Sequence, residues 1–355
     1  MPLLPSWAQG GAIERAKAAF LADGGFLPIT ARDGKILDSA WSMPGNPSWV
    51  NMAGGPGRIA LAQLDNLKAA GAEIQAEIER RTGGYFAKMD AATVKYQAAQ
   101  VKSKAAIDKM GKIVGYQRKM PLSEWEDKYR QKYTQAKNEV ERLRLETSGF
   151  SGKVNDLRNV HPAKDIQAVL GELRPMGGEL NLKEIEDGRL VSAEHDGLTR
   201  AAESYPRAWI DRSNADALPL TLRTGTGELA ERGYYVSGNG RIVVSDSPTN
   251  AVHELGHRME HTNLDVTKSE WAFWHSRTDG EETVLLRDLK VGSGYSDAER
   301  GRKDAFSDVY MGKTYGDNPN SAYELLTMGM ENMQKGVYHV DPEYRQWLLG
   351  TLGLL

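Results

Sequence analysis

The apolar positions change their period along the chain. Between residues 59 and 147 they recur in steps of three and four, as they do on one side of a helix. Leu64, Leu67, Gly71, Ile74 and Ile78 form a first stripe, and Val94, Ala98, Val101 and Ala105 a second, on a helix expected over 91–114. A third helix opens with a capping box, Ser123 and Glu126, and carries Trp125, Tyr129, Tyr133, Ala136, Val140 and Leu143. The pattern predicts a helical hairpin or bundle over 59–148, suited to self-association as a coiled coil. Residues 1–58, rich in Gly, Pro and Trp, read as an irregular region. One helix is expected there over 11–21 and short strands over 26–30 and 35–37, between breakers such as Pro44-Gly45-Asn46-Pro47.

Gly149-Phe150-Ser151-Gly152 reads as a break, and a domain boundary is expected there, with one domain over 149–355. Helices follow over 162–173 and 193–211, the latter with Leu198, Ala201, Ala202, Tyr205 and Trp209 on its apolar side. His161 and His195, near helix starts, read as capping or packing residues. The period then shortens to that of strands. Residues 218–222 form one, and 233–245 form a hairpin turning at Gly238-Asn239-Gly240. The second strand runs directly into a helix with Ser247 as N-cap and Pro248 in its first turn, carrying Val252 and Leu255 through to His261. Gly256 would let another segment approach this helix closely. Thr267 with Glu270, and Ser321 with Glu324, read as the capping boxes of two later helices. The class expected is α+β: a small, mainly antiparallel sheet above an active-site helix, a mostly helical C-terminal half, and a helical domain before them.

Composition narrows the function classes. A chain of 355 residues, 40% hydrophobic and 26% charged, has the balance of a soluble globular protein with two or three domains. A net charge of −3 gives no electrostatic case for nucleic acid or an anionic membrane as partner, and the Lys and Arg of 59–147 are interleaved with acids, as on a solvated face. No cysteine is present, so a metal would be held by histidines and carboxylates. The start Met1-Pro-Leu-Leu-Pro-Ser-Trp lacks the features of a signal peptide, and no apolar run is long enough to span a membrane. Residence in the cytoplasm on synthesis is the expectation.

The chemistry is concentrated in His253-Glu254-Leu255-Gly256-His257. Residues four apart share a helix face, so both imidazoles can address one ion while Glu254 leans over the same site. Catalytic zinc takes three protein ligands and leaves a position for water, whose pKa it lowers to about 7. Glu254 is then the general base, passing the proton to a leaving amine. The third ligand must come from elsewhere. His261 lies eight residues from His253, about 12 Å along a straight helix, too far for bonds of about 2 Å. A metzincin-type pattern would need histidine where Asn263 stands. Asp265 is one alternative, His275 reads as packed among tryptophans with a supporting or oxyanion role as the alternative, and His339 reads as structural. The better candidate is Glu324, which shares a helix face with Thr327 and Glu331, although its capping box gives it a second reading. Glu331 is a further candidate as ligand or supporting group.

The run from Tyr234-Tyr235 through Ala251-Val252-His253-Glu254-Leu255-Gly256-His257 resembles gluzincin-type (HExxH) metallopeptidase domains. The stretch Lys303-Asp-Ala-Phe-Ser-Asp-Val-Tyr-Met-Gly-Lys-Thr-Tyr-Gly316, followed by Glu324 and Asp341-Pro-Glu-Tyr344, is similar to zincin-like domains of tailed-phage and prophage virion proteins, minor head proteins among them. The resemblance covers roughly residues 200–350. It implies zinc held by His253, His257 and Glu324, Glu254 as base, and Tyr310, Tyr315 and Tyr323 as candidate oxyanion donors. Arg258 departs from the pattern, which usually has an uncharged residue there, and is expected at the surface beside Glu260. The implied function is a phage- or prophage-encoded zinc metallopeptidase, an endopeptidase or amidase, acting on a protein or peptide. The competing expectation is a structural virion or assembly protein keeping the zincin fold as a binding module, docked to other virion proteins through 59–147. A third is an injected toxin that cleaves a host protein.

Overall fold

The computed structural model describes residues 4–23, 56–116, 127–160, 162–183, 192–224, 233–245, 247–278, 280–290, 294–304, 306, 308–314, 323–337 and 341–355. The strands expected over 26–30 and 35–37, the Ser123–Glu126 cap, His161, Tyr315, Ser321 and His339 lie outside the described residues. In chain order the elements are α1 (Ala12–Asp23), α2 (Pro56–Thr82), α3 (Tyr85–Tyr116), α4 (Asp127–Arg158), α5 (Ala163–Leu173), β1 (Leu182–Lys183), α6 (Ser192–Ala202), α7 (Arg207–Ala215), β2 (Leu220–Thr224), β3 (Tyr234–Val236), β4 (Arg241–Val244), α8 (Pro248–Thr262), α9 (Leu264–Thr278), β5 (Thr283–Leu285), α10 (Leu286–Leu289), β6 (Arg300–Arg302), β7 (Lys313–Thr314), α11 (Leu325–Gln334) and α12 (Pro342–Leu354). Mostly helical with small sheets, the chain is α+β. No helix among the described residues is long and apolar enough to cross a membrane.

The chain divides into two compact units, Met1–Arg81 with Ala163–Leu355, and Thr82–Pro162. The smaller unit is the hairpin of α3 and α4. Its seam follows steps of four and three on both helices. On α3 it runs through Tyr85, Met89, Ala92, Tyr96, Ala99, Ser103, Ala106, Met110 and Ile113, and on α4 through Tyr129, Tyr133, Ala136, Val140, Leu143, Thr147, Phe150, Val154 and Leu157. This corrects two expectations. The stripe of Val94, Ala98, Val101 and Ala105 faces solvent, with Val101 70% exposed. It is two residues out of phase with the seam, about 200° around the helix, and the seam's tyrosines and methionines bury more area than alanine and valine can. The expected break at Gly149–Gly152 lies inside α4, where Phe150 and Val154 continue the apolar stripe.

The helical region expected over 59–148 is divided, because α2 belongs to the larger unit. Leu64, Leu67, Ile74 and Ile78 are fully buried. The remaining position of that stripe is glycine for a steric reason: a Cβ on Gly71 would lie 1.7 Å from the carbonyl oxygen of Gln346 on α12. One on Gly350 would lie 2.2 Å from the carbonyl oxygen of Leu67. Backbone meets backbone where α2 crosses α12.

The four-stranded sheet has the order β1-β2-β4-β3. Pairs β1–β2 and β2–β4 are parallel and only β3–β4 is antiparallel, so the sheet is not mainly antiparallel as expected. The chain crosses over through α6 and α7 between β1 and β2, and the β3–β4 hairpin lays β3 on the outer side of β4, leaving β4 parallel to β2. The hairpin turns where predicted, with Gly240 at φ 65° and tight against the carbonyl of Pro219. A second sheet, β5-β6-β7, is antiparallel. The single helix expected over 193–211 is two, α6 and α7, because Pro206 has no N–H to continue the first and caps the second. The capping box expected at Thr267 is absent: α9 already begins at Leu264, and the Thr267 hydroxyl donates to the carbonyl of Glu260 at 2.6 Å.

Replacing Gly71 with alanine is expected to lower stability by about 1–3 kcal/mol, because the helices must separate. Gly111→Ala on α3, where nothing lies within 4 Å of the added Cβ, is expected to raise it by about 0.5–1 kcal/mol. Thermal melts of the two variants, shifting in opposite directions, check the assignment.

Candidate metal centre

Helix α8 starts at Pro248, with Ser247 in the N-cap position, and Asn250 Oδ1 accepts the N–H of Ser245 at 2.8 Å to tie the end of β4 to the first turn. Its apolar side, Ala251, Val252, Leu255 and Met259, is buried. The Tyr205 hydroxyl holds it from behind by donating to the carbonyl of Val252 at 2.7 Å. At Gly256 a Cβ would meet the Thr327 methyl at 2.8 Å and the Tyr205 hydroxyl at 2.9 Å, so this glycine admits α11 to the helix as its sequence position suggested. That approach brings Glu324, in the N-cap position of α11, over the histidines.

His253 Nε2 lies 3.3 Å from Glu324 Oε2, and His257 Nε2 lies 3.7 Å from the same oxygen. One ligand atom from each of the three residues falls within 4.8 Å of the others, and the group could hold a metal ion. Four ligands around an ion at bonds of about 2.0–2.1 Å stand roughly 3.3–3.4 Å apart, so the observed separations fit such a donor set. The outward nitrogens are also held. His253 Nδ1 is 3.1 Å from Glu331 Oε2, and His257 Nδ1 is 2.9 Å from Glu260 Oε2. A carboxylate behind each ring orients the imidazole so that Nε2 faces Glu324, as the supporting groups of a metal site do. Thr327 Oγ1 donates to Glu324 Oε2 at 3.3 Å.

The electrostatics favour a cation. Burial opposes a charge on His253, yet the carboxylates of Glu324 and Glu331 hold its pKa up to about 10. His257, more deeply enclosed, is pushed down by burial. Glu254 is 5% exposed and lines the cleft beside the histidines. Its pKa is raised, first by burial, while His257 and His253 pull it the other way. The cleft has a volume of about 900 Å³. Gly233, Tyr234 and Tyr235 of the β3 segment form one wall, and Tyr310 and Lys313 line it as well. Lys313 Nζ donates to the Tyr310 hydroxyl at 2.7 Å and lies 3.8 Å from Glu324 Oε1 and 3.4 Å from Glu299 Oε1.

The other residues singled out in the sequence are distributed as follows. Glu331 stands behind His253 and is not one of the three converging groups. Tyr310 reaches the cleft, whereas Tyr323 is buried against Trp274 and is not among the residues lining it. His275 packs between Trp271 and Trp274, ring centres 4.1 and 5.0 Å away, and burial takes its pKa down to about 3. Tyr315 lies outside the described residues. His261 accepts or donates at Nδ1 to the Tyr235 hydroxyl at 2.8 Å and stays out of the ligand group, as helix geometry requires. Asp265 is in the first turn of α9, outside that group. Arg258 is not a surface residue. It is fully buried and donates to Ser213 Oγ, to the carbonyls of Ser213 and Leu218, and to the Tyr235 hydroxyl, at 2.8–3.1 Å. One guanidinium thus fastens the α7–β2 turn and β3 to the helix that carries both histidines.

Sequence reasoning missed Lys313, Glu260 as the partner of His257, and Glu270. Glu260 alone had a local signal, standing three residues after His257 on the same helix. In comparisons with protein-family models, curated proteins and solved structures, nothing matches this chain.

Glu331→Ala removes the carboxylate behind His253 without touching the converging atoms. It is expected to weaken binding of a divalent metal roughly 10- to 100-fold, with helix content unchanged, in a titration against a chelator of known affinity.

Proposed function

We propose that this chain is a zinc-dependent metallopeptidase, with zinc held by His253, His257 and Glu324. The observation that carries the reading is the convergence of two imidazole nitrogens and one carboxylate oxygen at the wall of an open cleft that Glu254 also lines. Zinc suits a set of two nitrogens and one oxygen with tetrahedral spacing in a chain without cysteine. Bound there, it supplies Lewis acidity, polarising a scissile carbonyl and acidifying water in the cleft.

The chain's own residues do the rest. Glu254 takes the proton from the attacking water and delivers it to the leaving amine; its raised pKa brings its proton affinity closer to that task. Strand β3 is the edge of its sheet and its residues line the cleft, so an extended peptide can add to it by backbone hydrogen bonds. Tyr310, whose hydroxyl accepts from Lys313, lines the same cleft, which supports it as the donor to a developing oxyanion. A helix bearing HExxH beside a sheet edge, with a glutamate from a second segment brought over it, supports the zincin reading, and the open cleft favours an endopeptidase acting on extended protein segments.

Elemental analysis is expected to find one zinc per chain in the wild type and none in Glu324→Ala. Glu254→Gln should keep the zinc and lose hydrolysis of a quenched-fluorescent peptide library by about 10²–10⁴-fold. A wild-type protein that takes up no stoichiometric zinc, or a Glu254→Gln variant as active as the wild type, defeats the proposal.

A further inference from the structure

Helix α8 turns a row of side chains toward the cleft, and the row continues past the candidate metal centre. Asn250, His253, Glu254, His257 and His261 all line the same cavity. His261, one turn beyond His257 and exposed, takes no part in the converging group. It is nevertheless held. Its Nδ1 stands 2.8 Å from the hydroxyl of Tyr235 on β3, and that hydroxyl is 3.1 Å from Nη1 of Arg258. The chain of bonds runs from a fully buried guanidinium to an exposed imidazole.

The donors in this chain decide the state of the ring. A guanidinium only donates, so the Tyr235 oxygen accepts from Arg258, which leaves the phenol's one proton to give to His261 Nδ1. The opposite tautomer would crowd two donors on one phenol oxygen. An imidazole that accepts at Nδ1 carries its hydrogen on Nε2. Burial, and then the Arg258 guanidinium, also hold the His261 pKa below its ordinary value, which favours the uncharged ring near neutral pH. Packing gives no reason for this order. Arg258 already donates to Ser213 and to the carbonyls of Ser213 and Leu218, and an exposed side chain in the last turn of a helix has little to bury. What the chain of bonds provides is an N–H at the cleft that is oriented before any ligand arrives.

Its distance from the converging group gives its role. Four residues of helix span about 6 Å, and an extended peptide advances about 3.3 Å per residue. A peptide paired with the free edge of β3 and passing over His253, His257 and Glu324 therefore reaches His261 roughly two residues from the bond to be cut. We infer that His261 is a substrate-binding residue whose Nε2–H donates to an oxygen acceptor, a backbone carbonyl or a carboxamide or carboxylate side chain, about two residues from the scissile bond. Tyr235 and Arg258 act through it as positioning residues. The inference rests on the peptidase reading.

The test is steady-state hydrolysis, by the full chain, of the peptides that the wild type cleaves fastest in a quenched-fluorescent library, with zinc content and circular dichroism measured alongside. His261→Leu is expected to raise KM roughly 3- to 10-fold, the loss of one neutral hydrogen bond, with kcat within about twofold and zinc unchanged. His261→Gln, whose amide can accept from Tyr235 and donate into the cleft, should stay within about twofold of the wild type. Tyr235→Phe should raise KM less than His261→Leu does, and the double variant no more than His261→Leu alone, because both act along one path. A rise in KM common to peptides of differing sequence assigns the acceptor to the backbone; one confined to peptides with Asp, Glu, Asn or Gln near that position assigns it to a side chain. If His261→Leu does not fold, His261→Ala decides. An unchanged KM in His261→Leu or its Ala substitute, a loss in His261→Gln as large as in Leu, additive rises in the double variant, or zinc lost from His261→Leu each overturn the inference. A wild type that cleaves no library peptide defeats the peptidase reading and this inference with it, a result distinct from the others.

Discussion

The close passage of α11 across α8 is the contact on which the site depends. Two histidines one turn apart on a single helix present two donors whatever the rest of the fold does. The third donor arrives only because Gly256 leaves room for Thr327, which sets Glu324 Oε2 within 3.3 and 3.7 Å of the two imidazoles. A Cβ at position 256 would stand 2.8 Å from the Thr327 methyl and 2.9 Å from the Tyr205 hydroxyl, so its neighbours would have to give way by several tenths of an ångström, more than the roughly 0.2 Å that metal–ligand distances tolerate. The glycine inside the HExxH motif therefore shapes the candidate metal centre while making no bond to any of its three residues.

Around this contact the other elements act as a frame. Tyr205 holds α8 from one side, and buried Arg258 binds the turn before β2 and the hydroxyl of Tyr235 on β3. A charged residue at position 258 departs from the zincin pattern, and its burial explains how it is accommodated: three of its contacts are to oxygen atoms of backbone and serine that would otherwise face the core. The wall of the cleft and the helix beneath it are thereby linked by a single side chain, which couples the spacing of the β3 edge to the position of the histidines.

Much of this was legible in the sequence because it is local. The start of α8, its strand-to-helix approach, the hairpin at Gly238–Gly240 and the exclusion of His261 follow from residues within about two turns of one another. Glu324 was reached through helix-face arithmetic on a distant segment, which can identify the side chain but not which histidine nitrogens it meets. What failed was non-local. Nothing in the stepping of α3 tells which of two apolar stripes meets α4, since both have the same period, and the choice falls to the bulk of the side chains opposite. The parallel pairing of β2 with β4 depends on where the chain re-enters the sheet. Glu270 read as a helix cap because Thr267 precedes it by three residues, while the N–H it accepts belongs to Leu326, 56 residues ahead.

The balance of buried charge gives the site its direction. Among the described residues of the larger unit, the buried acids near the histidines are Glu254, Glu260, Glu270 and Glu324, and the buried cations are Arg258, Lys313 and Arg345. Of these, Lys313 stands against a carboxylate of the cleft, 3.8 Å from Glu324 Oε1. Carboxylates removed from water need protons, hydrogen-bond donors or a cation. Glu260 meets part of the need at the His257 ring, Glu270 at the Leu326 N–H, and Glu324 by Thr327, Lys313 and the imidazoles. A divalent ion at the three converging atoms would satisfy the remaining field directly, so its binding free energy adds to the stability of the arrangement that creates the site. On this argument the acids that shape the cleft and the stability of the α8–α9–α11 core are one property, and substitutions that relieve the buried charge by apolar packing would stabilise the fold at the expense of the affinity for metal.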